Sequence, residues 1–357
     1  MRLGCKGLAP GLLAALTLLA GSAALHAAPR MHVMSTDLGP LIDRAALHPS
    51  RFAVEVPHAV SSSTTGEWST TSTRSTWRYA VRIPSAVSMS FRATDVKLPA
   101  SATLRVTSGE RTYSYSARDV HRGELWSRIA RGDSLTLELV VDTADVDGLR
   151  FQLASLQAGY RGLGSGVPHH RRYSVMSQSA TAAANPDCSE NWSCNTTATN
   201  AGAGQATVAI IIGNTGQCTG VLLNNVPGDG TPYVLTARHC QNGDPNGGSP
   251  GAAGNISVYW NAVAACGQPL GEIYDPGIPR QFGATTLVEQ QDAWLVRLNE
   301  EPVVNDAYFA GWDATGGTFV GGFTPHHALG TKRQFTGWFG QASYHEVPGT
   351  TSVGHCE

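Results

Sequence analysis

Residues 31–187 contain no cysteine, whereas residues 188–357 contain six. No C-x2-C pair occurs anywhere, so the commonest spacing for a cysteine zinc site is missing. Charged residues make up only 15 % of the chain, against 41 % hydrophobic residues and 40 glycines. Long charged or Ala/Leu-rich helical runs are rare after the N-terminus. What remains favours a β-rich, loop-rich soluble protein with room for about two domains. After the first thirty residues no apolar run is long enough to span a bilayer.

The opening, "MRLGCKGLAPGLLAALTLLAGSAALHAAPR", has Arg2 and Lys6, then an apolar run from Leu8 to about Leu25. Small residues follow from Ala24 to Ala28. That is the layout of a secretory signal peptide over 1–28, and it predicts a secreted protein, extracellular or periplasmic. A membrane anchor fits less well, because the run holds Pro10 and ends in an Ala-rich cleavage-type segment. Cys5 leaves with the signal. Cys188, Cys194, Cys218, Cys240, Cys266 and Cys356 then form an even set, which in an exported chain reads as disulfides.

The stretch 29–160 alternates as strands do: "STWRYAVRIP", "VSMSFRATDVKLP", "ATLRVTS", "RTYSYSA", "DSLTLELVV" and "LRFQLASLQAGY". Turn signals separate several of them, which predicts a β-sandwich. No catalytic constellation stands out here, and His121 and Glu124 read as solvated loop residues. The "RGD" at Arg131 to Asp133 reads as a tight turn before a strand rather than an adhesion motif. Residues 161–187 are Gly/Ser/Ala-rich and aperiodic, an exposed linker with candidate cut sites at Arg171–Arg172 and in the Ala-rich "TAAAN". Residues 29–187 carry 18 Lys/Arg against 14 Asp/Glu, and residues 188–357 carry 5 against 13. Fields of opposite sign favour association of the two parts, although ordinary solvated surfaces give the same counts.

In 188–357, "QATVAIII" reads as a strand, "GNTG" as a turn, and "QCTGVLLNN" and "YVLTA" as further strands. The last ends at "RHC", placing His239 beside Cys240. His239 could be a general base, a metal ligand with Cys188 and Cys194, or a core residue. Downstream, "QQDAWLVRLNEEP" puts Asp292 directly before a strand. A buried Asp there could take a hydrogen bond from the imidazole, fixing its tautomer and stabilising an imidazolium. A bridge from Cys218 to Cys240 would hold the residue after His239 to the neighbouring strand, and a base needs that rigidity. The chain-entropy model gives such a loop roughly 3 kcal/mol.

"CTGVLLNN…PYVLTARHC", "SVYWN…C", "DAWLVRLN", "YFAGWD" and "HHALGTKR" together resemble the lysyl endopeptidase-like group of secreted bacterial serine proteases, distant relatives of trypsin. The resemblance runs from 188 to about 340. It implies a trypsin-like double β-barrel over 188–357, preceded by the signal peptide and by a pro-region made as a zymogen. The fold class expected is therefore all-β: a β-sandwich, then the two barrels. His239 is implied as the base and Asp292 as its orienter. Bridges Cys218–Cys240 and Cys194–Cys266 are implied too, which leaves Cys356 for Cys188. The substrates implied are proteins or peptides, with cleavage after Lys or Arg. No cofactor, metal, nucleic acid or membrane anchor is expected; the pro-region is an intramolecular partner of a monomer.

One departure from the family pattern is large. The nucleophilic serine belongs in a "GDSGG"-like turn whose backbone N–H groups form an oxyanion hole. After Asp292 only Ser343 and Ser352 remain, and neither sits in such a turn. Ser352, in "PGTTSVGHCE", is the weak nucleophile candidate. The expectation is a second barrel only begun, in a C-terminally truncated chain inactive as given; a degenerate homologue that binds without catalysis is the alternative. His326 and His327 read as loop or core residues, Trp260, Trp294 and Trp312 as barrel core. "DPNGGSPG" from Asp244 reads as a turn rather than a calcium site.

Overall fold

A computed structural model describes residues 28–48, 50–163, 190–241, 252–314 and 321–339. The signal segment before residue 28, most of the 161–187 linker, Asp244, Cys188, Ser343, Ser352 and Cys356 lie outside the described residues.

The protein is all-β, a sandwich followed by a curled sheet. One sandwich sheet holds β1 (Met31–Val33), β3 (Glu67–Thr70), β4 (Arg74–Arg82), β6 (Thr103–Ser108), β7 (Arg111–Tyr115) and β10 (Ser134–Asp142). The other holds β2 (Ala53–Ser61), β5 (Ser88–Lys97), β8 (Leu125–Trp126), β9 (Ala130–Arg131) and β11 (Arg150–Gly159). The sheets run β1-β4-β10-β6-β7 and β2-β11-β5-β8, with β3 on β4 and β9 on β5. The alternation is literal: in β10 Leu135, Leu137, Leu139 and Val141 are buried while their neighbours are not. Trp77, Phe91 and Phe151 pack between the sheets, with ring centroids 5.7 Å and 6.1 Å apart. Pro57 lies within β2, which is at a sheet edge and pairs there beside a bulge in β11, a place where a strand tolerates proline.

One sequence expectation changes here and another holds. His121 and Glu124 are half-buried rather than solvated. Glu124 pairs with Arg92 and accepts from Trp126 Nε1 at 3.1 Å, and the His121 ring lies 5.4 Å from Phe282. The "RGD" is a turn before β10, with Gly132 at φ +112°, and both its charges are engaged, Arg131 by Glu272 and Asp133 by Arg82.

The second part is a seven-stranded sheet in the order β17-β16-β13-β14-β15-β19-β18. Its strands are β13 (Thr207–Ile212), β14 (Gly216–Leu223), β15 (Tyr233–Ala237), β16 (Ile256–Tyr259), β17 (Arg280–Phe282), β18 (Ala284–Gln290) and β19 (Ala293–Leu298). The two edge strands, β17 and β18, are separated in sequence by Gly283 alone. Its N–H donates to Ile256 O at 2.8 Å, and its carbonyl accepts from Asn299 N at 3.2 Å. The sheet therefore curls until its ends meet. A Cβ on Gly283 would fall 2.7 Å from Asn299 Nδ2, and its φ is +88°, so glycine is required. Trp260 and Trp294 fill the inside, but Trp312 is 59 % exposed. It follows the last strand of the curled sheet, and its Nε1 donates to Asn224 O at 3.1 Å along the surface.

Beyond β19 the described residues supply one three-stranded sheet, β12 (Glu190–Asn191), β21 (Gln334–Phe339) and β20 (Gly321–His326), in that order. Trp192, Phe323 and Phe335 cluster on it, the last two stacked at 5.8 Å.

Candidate active site

β15 and β19 are antiparallel neighbours with Ala237 opposite Ala293. Residues that leave these strands at that end must lie close together. The chain leaves β15 into one 3₁₀ turn, Arg238–Cys240, and the 3₁₀ turn and the β18–β19 corner are tied by backbone: Arg238 N donates to Asp292 O at 2.7 Å. His239 and Asp292 then meet twice. The His239 N–H donates to Asp292 Oδ1 at 2.9 Å, and its Nδ1 lies 2.8 Å from Oδ2. With Nδ1–H given to the carboxylate, Nε2 carries the free lone pair, the tautomer a general base needs. Gln291, the residue before Asp292, takes φ +52°, a left-handed turn that brings the carboxylate round to the imidazole.

A disulfide joins Cys218 on β14 to Cys240, with Cα atoms 6.0 Å apart. Thr236 Oγ1 donates to Thr219 O at 2.8 Å, so β14 and β15 are tied at two adjacent points. Gln241 is held by Glu289 from β18. The base is thus fixed from three strands. The sulfurs of Cys218 and Cys240 and a ring nitrogen of His239 lie within 4.8 Å of one another. Both sulfurs are consumed in the S–S bond, and metal ligation needs thiolates. Cys194–Cys266 is the second bridge, with Cα atoms 4.7 Å apart.

Asp292 is not buried. Its side chain is 49 % exposed and that of His239 38 %. The pair stands at the end of the sheet with open space over it among the described residues. Within those residues no serine hydroxyl bonds to the imidazole, and Ser352 lies outside them.

His327 is a different histidine. It is fully enclosed; its N–H donates to Thr219 Oγ1 at 2.9 Å and its Nδ1–H to Thr331 O at 2.9 Å. Burial, reinforced by the Arg333 charge, holds its imidazole down at about 3. It is a neutral packing residue that seats the third sheet against β14, behind the disulfide. His326 donates or accepts at Thr336 Oγ1, 2.8 Å away, and burial lowers it too.

One residue near the site has no signal in the local sequence. Arg51, from the start of the sandwich, sends Nη2 to Gln241 O at 3.1 Å and Nη1 to Thr215 Oγ1 at 2.5 Å. It precedes Gln241 by 190 positions, and no spacing rule spans such a gap.

Among the described residues no helix is long and apolar enough to cross a membrane. The two disulfides fit an oxidising compartment. Comparison with solved structures gives, among others, a cycloisomaltooligosaccharide glucanotransferase from Paenibacillus sp. complexed with cycloisomaltoheptaose, 10 % identical. The match covers 71 % of this chain and 44 % of that one at a TM-score of 0.17, so it carries no argument about fold or function. Residues 177–352 match the family described as lysyl endopeptidase, C-terminal domain. This part of the chain, which holds the curled sheet, the His239–Asp292 pair and both disulfides seen among the described residues, is similar to that domain.

Proposed function

We propose that the chain is the precursor of a secreted serine endopeptidase. A signal peptide spans 1–28, a pro-region 29–160, a processing segment 161–187 and the protease domain 188–357. The observation that carries the reading is the Nδ1–H bond from His239 to Asp292 at the meeting ends of β15 and β19. In the complete reaction a serine hydroxyl gives its proton to His239 Nε2 and attacks the peptide carbonyl. Asp292 stabilises the imidazolium, which then protonates the leaving amine; water releases the acyl-enzyme by the same route. The substrates are proteins or peptides, cleaved after Lys or Arg, and the reaction uses no cofactor.

No "GDSGG"-like text follows Asp292 in these 357 residues. The chain as given therefore does not label with a fluorophosphonate probe. Stoichiometric labelling that disappears in His239→Ala would overturn that point and promote Ser352 or Ser343. The same observation favours a second reading, a secreted pseudo-protease that binds without catalysis. Reading the coding DNA past the Glu357 codon separates the two. A "GDSGG"-like turn followed by strand-like text supports the endopeptidase precursor, and a stop with no such text in any frame supports the pseudo-protease.

A further inference from the structure

β13 reads "TVAIII", and every one of its residues is buried. Val208, Ile210 and Ile212 enter the core of the curled sheet. Ala209 and Ile211 point outward, yet they too are covered. They pack in one apolar cluster with Tyr259 and Tyr274, and the cover comes from Phe52 and Ile129 of the sandwich. The strand has no solvent face because the sandwich and residues of its own half, Tyr274 among them, together cover it.

Polar contacts run along the same seam. Phe52 N donates to Thr215 O at 3.0 Å and Gln217 N to Ser50 O at 2.9 Å, so the entry to β2 pairs with the start of β14. Buried Asn214 donates from Nδ2 to Ser127 O at 2.9 Å. Arg128 reaches Ile278 O and Arg280 reaches Trp126 O, each at 3.0 Å, in opposite directions across the boundary. Two ion pairs cross it, Arg131 to Glu272 and Arg111 to Asp275. In both, the cation comes from the basic half and the anion from the acidic half. Glu272 is 7 % exposed in this arrangement. Separation would bare an apolar face and leave buried polar groups without partners, two costs of different kind.

The seam ends beside the site without covering it. Arg51 binds the carbonyl of Gln241, two residues past His239, while the imidazole stays open. We propose that the sandwich is a permanent non-covalent subunit of the curled-sheet domain, retained after the chain between them is cut, and that through Arg51 it positions the turn bearing His239 rather than plugging the site.

The test needs no peptidase activity, so its outcome is independent of the protease reading. A recognition sequence for a site-specific protease is inserted between Leu163 and Glu190, and the purified full chain is cut and passed over a sizing column. Both pieces elute together at the position of the uncut chain. Elution apart, or precipitation of either piece, overturns the proposal. In the cut protein, Ile129→Asp releases the sandwich; continued co-elution would overturn the seam as the cause. Arg51→Ala leaves the pieces together but speeds amide exchange at His239 and Gln241 about tenfold, the effect of losing one charge-assisted bond. Unchanged exchange at those two amides overturns the positioning role, and the apolar cluster alone cannot produce the change.

Discussion

The sandwich and the curled sheet solve the same problem with different means. Both must hold twisted β-sheets around a core. The sandwich does so with no disulfide and with a deep aromatic core around Trp77, Phe91 and Phe151. Its outer faces carry ion pairs such as Arg78–Glu138 and Arg82–Asp133. The curled sheet is poor in charge; there, covalent bonds replace salt bridges, and one of its strands depends on the sandwich for cover. The lesson is that the cysteine-rich half is the less self-sufficient of the two. The Cys218–Cys240 bridge fixes the turn that follows β15, but neither disulfide supplies the apolar cover on the outer face of β13.

That comparison can be broken at several levels. The largest effect should come from the cores. Trp77→Ala in the sandwich and Trp294→Ala in the curled sheet should each cost about 3–5 kcal/mol in urea titrations. Because Phe52 and Ile129 join the two parts, both variants should shift one shared transition; two separable transitions would show the parts to be independent. Next is the clamp. Replacing Cys218 and Cys240 together by Ser should cost about 3 kcal/mol, the chain-entropy value for a short loop, and reducing agent should then have a smaller effect on thermal unfolding than in the unmodified protein.

One group through which acid should act is the buried His327. Its native value lies below the unfolded value of about 6.5, so the unfolded chain binds a proton that the native state refuses. Stability from this group is complete above pH 6.5 or so and falls by about 1.4 kcal/mol per unit as the pH drops towards its native value. His327→Gln should flatten the pH dependence of the urea midpoint between roughly pH 6 and 4 relative to the parent. The smallest effect belongs to the sandwich surface. Arg150 and Asp95 are both more than half exposed, so Arg150→Ala should change stability by less than about 0.5 kcal/mol in the same titration.

Much of this is legible in the sequence wherever one element decides the outcome. The alternation in "DSLTLELVV" places four side chains of β10 in the core because period-2 burial is a local property. The nearness of His239 and Asp292 follows from two strand ends, once β15 and β19 are recognised as neighbours. Where two elements share the decision, local text fails. Trp312 reads like Trp294, but only the second lies on a strand with a sheet beside it. Asp292 sits half open because its burial depends on whatever faces the end of the sheet, not on "QQDAW". Glu124 looks like a loop residue until Arg92, 32 positions earlier, is brought beside it. Arg51 is the extreme case, since nothing in "HPSRF" points to a histidine turn in the other half of the chain.

Gly283 has a consequence for solubility. A twisted sheet ordinarily has two rims, each a row of unsatisfied amides that can recruit a strand from another molecule. Here the first and last strands are one bent segment, so the two ends of the ribbon are drawn together at Gly283 and the open rim is shortened there. That closure rests on a hydrogen atom standing where any other residue would place carbon. Gly283→Ala would therefore act less by loosening a turn than by prising those ends apart, and its first symptom would be self-association rather than melting.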